Sequence, residues 1–299
     1  MQPNQFKHRI VRDLAWVIAS PPLLSGIKNN TLWLDHSFCL KEYADCLSAL
    51  IKLDTDPQPL ILQIEQLKSK RLGYRFESFI NFWLKISPNY VPLAHNIQLI
   101  ENKQTLGEVD FIIQNSATKE IIHLEVAVKF YLGTTPFEND FRWFGTNTND
   151  QLGKKQQHLI EHQTQLIRKY PTLIKYKIDQ RYCLVKGRLF YPFDTKTPDT
   201  PPNSATQNHL KGFWLKQNNS NQNKLKNKQL LYPLIKHEWL SSLQAAELKD
   251  KVSLTPLQKL DRAQCCISIN DNNEEDERIF ILPESFEFPD YQAQKKAPQ

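Results

Sequence analysis

The stretch that decides the fold is His123–Gly133, HLEVAVKFYLG, read together with GEVDFIIQN at Gly107–Asn115. In the first, Leu124, Val126, Val128 and Phe130 alternate with His123, Glu125, Ala127, Lys129 and Tyr131. A period of two is the signature of a strand whose successive side chains point to opposite faces. One face is apolar. The other carries a carboxylate and an ammonium. In GEVDFII, Asp110 is out of phase with Val109 and Phe111. If the two strands pair, Asp110 and Glu125 converge on one surface, with the apolar face anchoring them.

Outward from this pair, HNIQLI (95–100) reads as a preceding strand, with polar turn residues NSATKE between the second and third strands. Upstream, LILQIEQLKSKRLGYRFESFINFWLKIS (60–87) is a long helical stretch, with Gly73 a possible break. Its Phe76, Phe79, Ile80, Trp83 and Leu84 follow helical spacing and read as core. Glu77 lies within that helix. Further upstream, Ile10, Leu14, Val17 and Ile18 mark a first helix that Pro21 and Pro22 stop, and HSFCLKEYADCLSALIKL (36–53) marks a second. Downstream, DQLGKKQQHLIEHQTQLIRKY (150–170) reads as one helix capped near Asn149 or Asp150, followed by the strand YCLVKGRLFYPF (182–193). The order is helix, three strands, helix, strand, a mixed α/β pattern with a meander leading into a crossover. From Asp194 to Gln229 the composition turns to Thr, Pro, Asn, Gln and Lys, which predicts mobile loops around the short strand LKGFWL (210–215). LYPLIKHEWLSSL, QCCISI and RIFILPESF then suggest strands with a short helix, and the acidic turn NDNNEEDE separates two of them.

The composition is that of a soluble chain with a mildly basic balance: net charge +6 and pI about 8.9. That is compatible with a nucleic-acid partner without demanding one. Cys39, Cys46, Cys183, Cys265 and Cys266 have no CxxC spacing, so they read as free buried thiols in a reducing cytoplasm. No apolar run reaches the length of a membrane span, and Arg12 and Asp13 interrupt the one N-terminal run that imitates a signal peptide. The expectation is a cytoplasmic protein without a membrane partner. No phosphate-binding glycine loop, nucleophile elbow or HExxH motif is present.

The segments GYRFE, GEVDF and HLEVAVKFYL resemble the PD-(D/E)XK nuclease superfamily, whose core is αβββαβ, over roughly Ile61 to Phe193. More closely, VRDLAWVIASPPLL, GEVDF, LEVAVKFYLG and GRLFYP resemble a bacterial family known as domain-of-unknown-function family 1853. The resemblance implies a restriction-endonuclease-like α/β core at 59–193, behind an N-terminal helical cap at 1–58. A loop-rich α/β extension at 194–299 follows. It also implies that Asp110 and Glu125 bind Mg²⁺ or Mn²⁺ and that Glu77 supports the metal. Where the superfamily places its lysine, Ala127 stands. Lys129 is two residues further along the same face, so its Cα lies ~13 Å from that of Glu125 rather than ~7 Å. Lys129 is nonetheless the expected catalytic charge stabiliser.

Paired carboxylates suit this chemistry because they repel one another, and a hard divalent cation relieves that repulsion. An ammonium nearby stabilises charge developing on a phosphoryl group. Candidate contacts to DNA or RNA are Arg142 and Trp143, as a cation and stacking platform, and Lys154, Lys155 and His158 on the following helix. His158 and His162 have a spacing able to bind zinc, but no third ligand accompanies them. Two other readings compete with a nuclease: the same fold kept as a non-catalytic nucleic-acid or protein-binding module, and a subunit of an assembly.

Overall fold

The computed structural model describes residues 1–193, 200–217, 231–249, 251–254, 259–272 and 274–290. In chain order the described elements begin with α1 (Arg9–Ala19), the short strands β1 (Gly26–Lys28) and β2 (Thr31–Trp33), and α2 (His36–Thr55). Next come α3 (Gln58–Glu65), α4 (Leu72–Ile86), and the strands β3 (Tyr90–Glu101), β4 (Gln104–Asn115) and β5 (Ile121–Gly133). They are followed by β6 (Trp143–Phe144), α5 (Leu152–Glu161), α6 (Leu166–Lys169) and β7 (Gln180–Pro192). The last are β8 (Lys211–Lys216), β9 (Leu231–Pro233), α7 (Ala245–Leu248), β10 (Gln264–Ile269) and β11 (Glu275–Leu282). The fold is mixed α/β, as the alternation of periods implies.

The chain divides into two compact units. The first comprises residues 1–129, 155–187 and 204–209. In it β3 and β4 form an antiparallel hairpin whose two-residue turn, Asn102-Lys103, has φ of 49° and 66°. Both residues being left-handed is the mark of a hairpin turn that matches strand twist. β5 pairs antiparallel with β4, β7 lies beside β5, and β2 pairs in parallel with β7. The β1–β2 hairpin was not legible as strand in the sequence, because each arm has only three residues. The long helical stretch is two helices, with the break at Gln66–Arg71 and Gly73 inside α4.

Helix α1 ends where Ser20 takes extended backbone before Pro21 and Pro22. The fully buried Lys186 donates there to the carbonyls of Ile18 and Ser20, and its Nζ lies 3.1 Å from Cys39 Sγ. A cation at a helix C-terminus satisfies carbonyls that have no partner within the helix. Burial pulls the Lys186 pKa below its ordinary value, opposed by Cys39. Gly187 has φ +141°, and a Cβ placed there would fall 1.7 Å from the Lys129 carbonyl oxygen. Only glycine allows this approach of β7 to β5.

The second unit comprises residues 130–154, 188–203 and 210–299. Here β8 runs parallel to both β7 and β11, while β10 pairs antiparallel with β11 and β9. Leu215, Leu231, Cys266, Ile279 and Ile281 form its core. Half of the polar run from Asp194 to Gln229 lies outside the described residues. All five cysteines are buried free thiols. Among the described residues no helix is long and apolar enough to cross a membrane.

A buried ion pair fastens this unit. Arg278 Nε donates to Glu275 Oε1 at 2.6 Å, and the same guanidinium donates to the carbonyls of Trp239 and Ser241. Burial raises the Glu275 pKa, but the charge and hydrogen bonds of Arg278, with the Leu243 amide, outweigh it and hold the carboxyl below its ordinary value. A carboxylate held low stabilises the fold above its unfolded pKa and loses that contribution as the pH falls through the folded one. Glu275→Gln is therefore expected to cost about 2 kcal/mol at pH 7. Urea titrations should show the difference shrinking below about pH 4.

Candidate functional site

Strand β4 pairs with β5 from Gln114↔Ile121 to Phe111↔Leu124. One step further stand Asp110 and Glu125, and there side chains replace the backbone partners. The Val126 amide donates to Asp110 Oδ2 at 2.8 Å, and the Asp110 amide donates to Glu125 Oε1 at 3.4 Å. Two carboxylates thus sit at the point where the strands part. Glu125 is fully buried. Its Oε1 lies 2.7 Å from His123 Nε2, and its Oε2 accepts from Gln163 Nε2 at 3.1 Å. A carboxylate only accepts, so His123 Nε2 is the donor in this contact. The buried Nδ1 has no partner among the described residues.

Gln163 is in place because the expected single helix 150–170 is broken. Its first part, α5, stops at Glu161, a 3-10 turn carries Gln163–Gln165, and α6 follows. The Thr164 hydroxyl donates back to the Leu159 carbonyl at 2.9 Å, the local competition with the helix ladder that Thr offers. Gly107 permits the packing of this turn: a Cβ there would meet Leu166 and His162 side chains.

An ammonium reaches the Gln163 amide from α5. Lys155 Nζ donates to Gln163 Oε1 at 2.8 Å, so one amide bridges Lys155 to Glu125. Burial and then the Lys129 charge lower the Lys155 pKa, while Glu125 and Asp110 oppose them. The carboxylates respond in the opposite sense. Asp110 is pushed up to about 9, by burial first and then by the Glu125 charge, against the Val126 hydrogen bond. Glu77, on α4, is pushed up to about 7 by burial and by Glu108 and Glu125, with Lys155 opposing. Glu77 also lines a cavity of about 210 Å³ with Gln63, Asn81, His95 and Phe111. The fully buried Cys183 lies near Glu125 and Lys155, its thiol pushed well up by burial, so it is not a nucleophile.

Asp110, Glu125, Glu77, Lys155 and Lys129 therefore share one electrostatic neighbourhood in the first unit. His158 is exposed and stacks on His162 with ring centroids 4.9 Å apart. Lys154 is exposed in the second unit. Arg142 and Trp143, expected as an open platform, are buried there. Arg142 Nε donates to the Thr135 carbonyl at 3.1 Å. Trp143 is wholly enclosed. Its Nε1 donates to Phe137 O at 2.8 Å, its ring meets Tyr191 edge-on at 4.9 Å, and it fills the space that a Cβ on Gly133 would take. Such a ring has no free face for a base.

Gln163 and His123 escaped the sequence reading as site residues. His123 shares the phase of Glu125, which is a usable signal. Gln163 had none, because its position depends on the helix break. Among the described residues no three His, Cys, Asp or Glu side chains gather tightly enough to hold a metal ion between them. Mg²⁺ is commonly held by only one or two carboxylates, with water and substrate phosphate completing the shell, and Asp110 with Glu125 fits that donor set.

A mixed α/β protein with one buried and one half-buried carboxylate and an amide-bridged lysine is thus defined. The model of a domain of unknown function, DUF1853, matches residues 12–282, and the chain belongs to that family. No curated protein and no solved structure matches the chain.

Proposed function

We propose that the protein is a divalent-metal-dependent nuclease of PD-(D/E)XK type, cleaving phosphodiesters of DNA or RNA. The observation that carries this reading is the pair Asp110 and Glu125 at the parting of β4 and β5, with Lys155 tied to Glu125 through Gln163. Asp110 and Glu125 would hold Mg²⁺ or Mn²⁺, which when bound offsets their repulsion and polarises a phosphoryl oxygen. The rest is done by side chains of this chain. Glu125 is fixed by His123 and Gln163, so its free rotation is spent before substrate arrives. Lys155 presents an ammonium to charge developing on phosphorus. Glu77, with a pKa near neutrality, can accept or release a proton at its carboxylate. Lys155 takes the charge-stabilising part that the sequence assigned to Lys129.

The test is a cleavage assay on single- and double-stranded DNA and RNA. Cleavage with Mn²⁺ or Mg²⁺ that stops on chelation supports the reading. No cleavage with either ion overturns it. Because Ala127 stands where the superfamily places its lysine, a non-catalytic binding module is the second reading. Salt-sensitive nucleic-acid binding without cleavage would select it.

A further inference from the structure

A second concave feature of the first unit lies where α6 leads to β7. It has a volume of about 580 Å³, and Arg168, Lys175, Lys177 and Arg181 line it with one carboxylate, Asp179. That carboxylate is already engaged, accepting from the Ile121 amide at 2.9 Å. Arg168 and Lys177 are exposed and have no carboxylate partner among the described residues. Arg181 donates one Nη to the Asn30 carbonyl at 3.2 Å, and its Nε is shut from solvent without a partner among the described residues. Burial and the nearby Arg168 charge both lower the Arg181 pKa. The walls are firm, since Leu166, Ile167, Leu173, Ile174, Tyr176 and Ile178 pack on β3 and β4. Four cations on one packed frame, with a single, already engaged carboxylate among the described lining residues, call for an anion. The segment that supplies Arg168 also supplies Gln163, five residues earlier, to Glu125.

We infer that this groove binds the phosphodiester backbone of a nucleic acid, through Arg168, Lys175, Lys177 and Arg181. The inference rests on the nuclease reading for its ligand and deepens it by placing the strand. An extended polyanion fits better than a single phosphate because four cations line one open groove of about 580 Å³.

The experiment is fluorescence anisotropy of labelled single-stranded DNA and RNA oligonucleotides, with EDTA present so that nothing is cut. The wild-type chain should bind, with log affinity falling linearly in log salt at a slope near −2 to −3. The doubly substituted Arg168→Ala/Lys177→Ala chain should bind about 10-fold more weakly, with the slope shallower by roughly 1.4. Unchanged melting shows that both surface changes leave the fold intact. Should that variant not fold, Lys175→Gln/Lys177→Gln carries the same expectation. Equal affinity and slope in wild type and variant overturn the groove, even if Mn²⁺-dependent cleavage persists. An absence of oligonucleotide binding overturns it too, as does displacement by inorganic pyrophosphate with no preference for the oligonucleotide. Binding lost in the groove variant but retained in Asp110→Asn separates the groove from the carboxylate site.

Discussion

Asp110→Asn is expected to stop cleavage and to stabilise the folded chain at the same time. The two effects have one cause. In the folded chain Asp110 is pushed up to about 9 from 3.8, by burial and by Glu125 beside it. Between those values the folded state holds a proton that the unfolded state has released. Stability therefore falls as the pH rises through that window, and Glu77 adds to the fall between 4.5 and about 7. At pH 7 the Asp110 contribution is of order 2–4 kcal/mol of lost stability. Asn keeps the shape and still accepts from the Val126 amide, yet ionises at no pH. The melting temperature of Asp110→Asn should rise by roughly 5 °C at pH 7, with a smaller gain at pH 5. Mn²⁺ should raise the melting temperature of the wild type and leave the variant unmoved, since the cation relieves the same repulsion. A variant that melts lower than wild type at pH 7 would contradict the charge-strained site. A site under such strain is more easily explained by function than by stability.

The second large effect concerns which lysine serves the site. Lys155→Met should reduce the cleavage rate by about 10²–10³-fold, the loss typical of removing one positioned charge at a phosphoryl group. Lys129→Met should cost less than about 10-fold. Its charge lies beside Lys155 and works against that ammonium. Gln163→Leu separates positioning from charge. It removes the bridge from Lys155 to Glu125 and leaves both groups in place, so kcat should fall about 10-fold while KM for the oligonucleotide holds. Equal losses for the two lysine variants would return the role to Lys129.

The sequence was most informative where local periodicity decides structure. The alternation in HLEVAVKFYLG and GEVDFIIQN placed both strands, and with them Asp110 and Glu125 one step past the last ladder pair. The phase of a strand is local, so the pair could be read directly. Lys155 was seen only as a surface contact, because its role depends on how α5 lies over the sheet. That placement depends in turn on the break at His162–Gln165, on the Thr164 hydroxyl and on the missing side chain of Gly107. None of these makes a pattern that repeats along the chain. Trp143 failed for a related reason. An aromatic beside an arginine reads as an open platform, but the slot beside Gly133 takes the ring inside. Long-range packing, which one sequence does not display, decided both cases.

In the proposed mechanism Asp110 and Glu125 hold a divalent cation against a phosphodiester. The most direct measurement is anomalous scattering from crystals soaked with Mn²⁺ and a short oligonucleotide whose scissile linkage resists hydrolysis. The expected result is a Mn²⁺ peak between the Asp110 and Glu125 carboxylates, with a phosphoryl oxygen in its shell and Lys155 Nζ facing the same phosphate. A bound oligonucleotide with no peak at the two carboxylates, and with Lys155 turned away from the phosphate, would contradict it.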